Sequence, residues 1–353
     1  MLLILAVCLV VAAFVYRQCI NRLRGLPPGP PPLPFIGNLH QMETDMGEEQ
    51  RRFALHSLRN QGFATSSMTG TVSGYGHEIV KRWSATNGAP FDPTPELTAA
   101  VGNVILNLVF GRNVPFDNPL LMKIREIMDV VNSTTIPSLA LYEVVPILAT
   151  IDEKLGRITA RMTKCNGAMR EVVNKELNEV AASMTMDDTP RCYAEALLHE
   201  ASKREKEQGD PGDFSRPQLI AAIYDVWVAG FDKTIFTLRY ALHYIMSTPE
   251  IQNKLQAEID AVIGDRDVAL EDQKKMPYLT AFLTEVQRIH AVLYINFFRQ
   301  TDREVVIEGF KIPSGTTVLP QFHLVHHDPN EFESPDNLRP ERHLNERGEF
   351  IKP

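Results

Sequence analysis

Residues 1–16 read MLLILAVCLVVAAFVY without one charged side chain, and of the later stretches 97–110, LTAAVGNVILNLVF, is nearly all apolar. As a helix the apolar run reaches ~24 Å, and Tyr16, Cys19 and Ile20, with Arg17 snorkelling, extend it toward a hydrocarbon core of ~30 Å. Arg17, Arg22 and Arg24 follow the run rather than precede it. That charge order predicts a retained single-pass anchor over residues 1–25, with the body on the cytoplasmic side. A cleaved signal peptide is the alternative. Residues 26–38, LPPGPPPLPFIGN, cannot be helical and predict a stiff polyproline hinge.

Beyond the hinge the spacing of apolar positions is mostly helical. It predicts helices over 48–60, 97–110, 120–132, 152–183, 216–247, 250–263 and 278–290. Gly111 stops the second of these, and Pro217, Pro249 and Pro277 suit the first turns of the last three. The charged, Gly/Pro-broken segment 203–214 reads as a surface connection. After His290 the texture changes. Short β-prone pieces at 305–307, 311–312 and 316–320, set around Gly309, Pro313 and Gly315, predict a small hairpin sheet. The fold class is mainly α with small β-sheets, and no internal repeat points to a solenoid.

Composition narrows the function classes. With 353 residues, 44% of them hydrophobic and 23% charged, the chain buries a substantial core. A net charge of -8 gives no electrostatic footprint for nucleic acid. Cys8, Cys19, Cys165 and Cys192 are widely spread, which argues for reduced thiols rather than a disulfide framework. His326 and His327 adjoin Asp328-Pro329 as a loop feature, and no third ligand has metal-site spacing, so no metal site is assigned.

Three places carry candidate chemistry. Glu285 and Arg288 share one helix face at a spacing of three, where they can form a charge-assisted pair. Arg342, arriving in Arg339-Pro340-Glu341-Arg342, can share the same carboxylate and lock a loop to that helix. The long helix centres on Ala229-Gly230-Phe231-Asp232-Lys233-Thr234, a glycine beside a carboxylate. Taken alone, that hexapeptide reads better as a core helix with a solvated Asp/Lys step.

In this order the motifs resemble those of the haem-thiolate monooxygenases, the cytochromes P-450 of the microsomal animal type. Glu285-Val286-Gln287-Arg288 matches E-x-x-R. Residues 339–344 match the P-E-R-F box, with His343 in place of the usual aromatic. Residues 309–316 resemble G-Y-x-I-P-K-G-T, and the long helix resembles the oxygen-binding segment A/G-G-x-D/E-T-T. The resemblance implies the cytochrome P-450 fold over 39–353, haem b as cofactor, an NADPH-dependent reductase as electron donor and a small lipophilic substrate. It implies insertion of one oxygen atom and residence in the endoplasmic reticulum membrane. It assigns proton delivery to Asp232 and Thr234, close approach of the cofactor to Gly230, and a structural role to Glu285, Arg288 and Arg342. Arg51, in the place of the W-x-x-x-R arginine, would hold a haem propionate or stand as a solvated cation. Arg299 is a second propionate candidate.

The pattern also departs from the family. No F-x-x-G-x-x-x-C-x-G loop follows residue 342, and Cys165-Asn166-Gly167 supplies only C-x-G. Gly47 replaces the tryptophan of W-x-x-x-R, and only about a dozen residues separate Leu39 from that helix, where the family carries a helix, a sheet and a substrate loop. Lys233 stands where the relay hydroxyl belongs. An ammonium donates but cannot accept and pass on a proton. The expectation is a truncated and internally deleted chain with little or no activity of its own. The alternative to an enzyme is a non-catalytic, membrane-tethered helical interaction protein.

Overall fold

A computed structural model of the chain describes residues 48–63, 68–130, 158–185, 188–291 and 299–352. Ten α-helices are described: α1 Glu48–Asn60, α2 Thr69–Ser84, α3 Thr94–Phe110, α4 Pro119–Val130, α5 Ile158–Ser183, α6 Tyr193–Gln208, α7 Arg216–Ser247, α8 Pro249–Val262, α9 Pro277–Ile289 and α10 Phe322–His326. The described strands are β1 Arg299–Gln300, β2 Val305–Ile307, β3 Phe310–Ile312 and β4 Thr317–Val318. The fold is mainly helical with small sheets. The chain divides into two units. The first comprises Met1–Thr44, Val130–Cys165 and Tyr294–Phe322, and it carries the strands. The second comprises Asp45–Asp129, Asn166–Leu293 and His323–Pro353, and it carries nearly all the helices.

Local chemistry sets the helix ends. Asp92 accepts the N–H of Thr94 at 2.9 Å ahead of α3. At the other end Gly111, at φ 67°, turns the chain and returns its N–H to Asn107 O. Extended Ser215 and then Pro217 open α7. The Glu258 carboxylate on α8 accepts the N–H groups of Tyr278 and Leu279, both at 2.8 Å, and so caps α9 from outside.

Two apolar clusters hold the second unit. Trp227, Phe231 and Ile235 of α7 are buried, as are Ile105 and Leu106 of α3 and Leu121 of α4. A Cβ on Gly102 would come within 2.6 Å of Leu121 Cδ2 and 3.3 Å of Phe231, so these helices meet at a position that only glycine fits without rearrangement. Buried Asn103 ties α3 to the following loop, donating to Ala99 O and Val114 O and accepting the N–H of Val114. The second cluster joins α7, α8 and α9 through Ala241, Ile251, Leu255, Phe282 and Val286.

Three expectations change. The segment at 203–214 is not wholly a connection, because α6 continues to Gln208 before Gly209 ends it at φ 74°. The Glu200–Arg204 pair at 2.7 Å, with Arg204 over the Phe214 ring at 4.3 Å, carries the helix through that charge run. Helix α2 was not expected. The single hairpin sheet is two: β2 pairs β3 with Val305 opposite Ile312, and β1 pairs β4 with Arg299 opposite Val318. The anchor at 1–25 and the hinge at 26–38 lie outside the described residues.

Candidate functional site

Glu285 is fully buried on α9, and five donor contacts converge on its carboxylate. Oε1 accepts from Arg288 Nη2 at 2.9 Å, Arg342 Nε at 3.0 Å and the backbone N–H of Arg339 at 3.2 Å. Oε2 accepts from Arg288 Nε at 2.8 Å and His343 Nε2 at 2.9 Å. Burial alone would push this carboxyl up. The donors on Arg288, His343 and Arg339 outweigh burial and hold it at about 2. A carboxylate that stays ionised at neutral pH with its oxygens fully engaged is a fastener, not a proton carrier.

The network extends into the loop beyond α10. Arg288 also donates to His326 O and to Pro335 O at 2.6 Å, and its guanidinium lies 4.8 Å from the centre of the Phe332 ring. Arg342 reaches Ser334 O at 2.8 Å. A 3₁₀ turn over Pro340–His343, with Pro340 and His343 buried, aims the Arg342 and His343 side chains at Glu285. The expected trio of Glu285, Arg288 and Arg342 is therefore brought together. His343 is the member that sequence reasoning missed as a partner; its signal was a histidine in a place the family gives to an aromatic.

The candidate residues of α7 separate around the helix. Asp232 is buried, while Ala229 and Thr234 are exposed and Lys233 is half-buried. Thr234 donates its hydroxyl proton to Gly230 O at 2.8 Å, the back-bond of a mid-helix threonine. Asp232 and Thr234 thus face different sides. A Cβ at Gly230 would meet Ile105 Cδ1 at 3.4 Å, so the glycine lies against α3. Toward its C-terminal end α7 carries a stacked cluster. The Tyr240 ring lies 3.8 Å from that of His290 at an angle of 8°, and the Tyr244 hydroxyl is hydrogen-bonded to His290 Nε2 at 2.9 Å. Burial, with His243 and His327 nearby, pushes the His290 pKa down.

A haem group needs an open helix face, cations for its propionates and an axial donor. The open face is present, with Ala229 exposed and Phe236 42% exposed on α7. Arg51 lies in the first turn of α1, and Arg299 lies on β1 opposite Val318, exposed. The axial donor does not fit. Cys192 is buried at the start of α6, and burial pushes its thiol up to about 11, far from thiolate. Cys165 sits half-buried within α5. The described residues fit the distal wall and do not supply the thiolate.

Comparison with known proteins places this arrangement. A family model described as "Cytochrome P450" matches residues 45–353. The chain is 30% identical to "Probable cytochrome P450 CYP36A1" of Caenorhabditis elegans over 417 residues, covering 98% of this chain and 84% of that protein. It is 33% identical to "Cytochrome P450 2J5" and 32% identical to "Cytochrome P450 2D10", both of Mus musculus. In both cases the match covers 86% of this chain and 60% of the relative, so the chain spans well under two thirds of their length. The nematode alignment, at 417 positions, exceeds the 353 residues available and so sets part of that relative opposite gaps in this chain.

Proposed function

Because this chain belongs to the cytochrome P450 family, we propose that it is the scaffold of a haem-thiolate monooxygenase. The family's cofactor is haem b, which when bound supplies the iron centre for dioxygen chemistry. The proposed reaction inserts one oxygen atom into a small lipophilic substrate such as a steroid, a fatty acid or a foreign compound. An NADPH-dependent reductase supplies the electrons. Residues 1–25 would anchor the protein in the endoplasmic reticulum membrane and residues 26–38 would space its body from the bilayer. No helix among the described residues is long and apolar enough to cross a membrane.

The observation that carries this reading is the Glu285 network. It fastens α9 to the Pro340–His343 turn through one buried carboxylate, a brace without a chemical task of its own. In the proposed roles, Glu285, Arg288 and Arg342 hold the core. Asp232 handles protons on the distal helix, and Thr234 offers an oxygen whose own proton is committed to Gly230 O. Gly230 would leave room for close approach of the cofactor, and Arg51 and Arg299 would serve the propionates.

Monooxygenase activity belongs to a polypeptide that adds a thiolate ligand to these residues. By themselves, these 353 residues are proposed to give little or none, because neither Cys165 nor Cys192 suits the iron and Lys233 replaces the relay hydroxyl. A second reading, a non-catalytic membrane-tethered helical protein, is favoured by Lys233 alone. Sequencing the transcript past the codon for Pro353 separates the two. An in-frame segment encoding F-x-x-G-x-x-x-C-x-G supports the enzyme, and a stop codon there supports the second reading.

A further inference from the structure

Away from the Glu285 network, α1 and α6 face each other across a cleft of about 540 Å³. Phe53, His56 and Asn60 bring one face of α1 to it, and Ala196, His199, Lys203 and Lys206 bring one face of α6. The walls are pinned. Gln61 Nε2 donates to Pro190 O at 2.9 Å, which ties the chain after α1 to the loop before α6. The Phe53 ring stands edge-on to Phe214, with 5.1 Å between centres and 83° between planes.

The lining favours a negative group. Lys203 and Lys206 lie three residues apart on the same helix face, so both ammonium groups can reach one ligand between them. Neither has an ion-pair partner among the described residues. Glu200 is the one carboxylate on the lining, and its Oε1 takes Arg204 Nε at 2.7 Å, so its charge is already balanced within α6. Asn60 Nδ2 lies 3.2 Å from His56 Nδ1. The amide N–H donates, which makes Nδ1 the acceptor and leaves the ring proton on Nε2. The remaining ring nitrogen of His56 is thus a donor, like the two lysines.

We propose that this cleft binds a small organic phosphate monoester, its head held by Lys203, Lys206 and the His56 N–H and its carbon body against Phe53, Pro190 and Ala196. Donors without acceptors call for a head that only accepts, and a phosphate monoester brings close to two negative charges and three strong acceptor oxygens. A neutral ligand would leave the two ammonium charges unanswered, and a cation would be repelled by them. The carbonyl end of α6 works against an anion. Two ammonium groups in direct contact outweigh that partial charge, which fades within the last turn. The volume is that of a small-molecule site. None of its residues is assigned to haem, so the cleft can be tested without the cofactor.

Phenyl phosphate, phenol and phenyltrimethylammonium share the ring and differ in the charge beside it, so calorimetric titration of each into the purified 353-residue chain tests the proposal. Phenyl phosphate is expected to bind saturably, with phenol and the cation weaker by about tenfold or more. Inorganic phosphate, which lacks the ring, is expected to compete with it but to bind more weakly. Lys203→Gln and Lys206→Gln, both at exposed positions, are each expected to weaken phenyl phosphate by about tenfold with circular dichroism unchanged. Lys81→Gln, at an exposed lysine on α2, is expected to leave binding unchanged. The absence of saturable binding overturns the proposal, as does phenol, the cation or inorganic phosphate binding as tightly as phenyl phosphate. So does binding that survives the loss of both Lys203 and Lys206, or that falls as far with Lys81→Gln.

Discussion

His343 Nε2 lies 2.9 Å from Glu285 Oε2, at the buried centre of the brace that joins α9 to the following turn. The family box places an aromatic here, which would fill space without donating. The imidazole fills a similar volume and adds a hydrogen bond to an ionised acceptor, worth about 1.5–3 kcal/mol. His343→Phe is therefore expected to lower the unfolding free energy by that amount, read as a lower urea midpoint at unchanged slope. No loss of stability would mean that the contact is spatial only.

Removing the acceptor is more severe. Glu285→Ala leaves Arg288, itself 4% exposed, without its counter-charge, and is expected to cost about 3–5 kcal/mol. Equilibrium denaturation of the two variants side by side ranks the partners: Glu285→Ala falls well below His343→Phe.

The same carboxylate dictates a pH dependence. Its folded-state pKa is depressed, to about 2 from an ordinary 4.5. The stability it contributes is thus complete above 4.5 and lost as the pH falls from 4.5 through about 2. The gap in unfolding free energy between the natural chain and Glu285→Gln is expected to be flat above pH 4.5 and to shrink across that window. Denaturation at stepped acidic pH reads it.

Much of this architecture was legible beforehand, for identifiable reasons. Helix α7 could be bounded at both ends because Pro217 suits its first turn and Pro249 follows its last. The Glu285, Arg288 and Arg342 cluster was legible because spacing and proline flanks carried it. Helix α2 was not, since Gly70, Gly74 and Gly76 depress its propensity and none of its residues is buried. Its support is partly tertiary: Arg82 pairs with Asp117 in the loop before α4, besides Glu78 on its own helix. The tail of α6 was hidden by a charge run whose partners are four residues apart. His343's hydrogen bond depends on a 3₁₀ turn that no periodicity announces.

Two glycines make opposite predictions. Gly102→Ala must displace Leu121, whose Cδ2 would lie 2.6 Å away, and overpacking of this kind costs about 1–3 kcal/mol. Gly230→Ala meets only Ile105 at 3.4 Å and gains helix propensity, so its stability is expected to change by less than about 1 kcal/mol. Thermal denaturation of the pair separates them.

His290 should report its own burial. Its pKa is pushed below the ordinary 6.5, chiefly by desolvation, with His243 and His327 adding to it. Stability from the neutral, Tyr240-stacked ring is present above 6.5 and declines as the pH falls below it. Imidazole resonances followed by NMR are expected to show this histidine titrating below the ordinary 6.5. Tyr240→Ala, which opens the stack, should move it back up.

We propose that these residues carry the brace of a haem-thiolate enzyme and that neither Cys165 nor Cys192 supplies its axial thiolate. The reduced, carbon monoxide-bound difference spectrum of the purified 353-residue chain, reconstituted with haem, tests it most directly. No thiolate-type Soret band is expected. A thiolate-type band from this polypeptide would contradict it and return Cys165 or Cys192 to the iron.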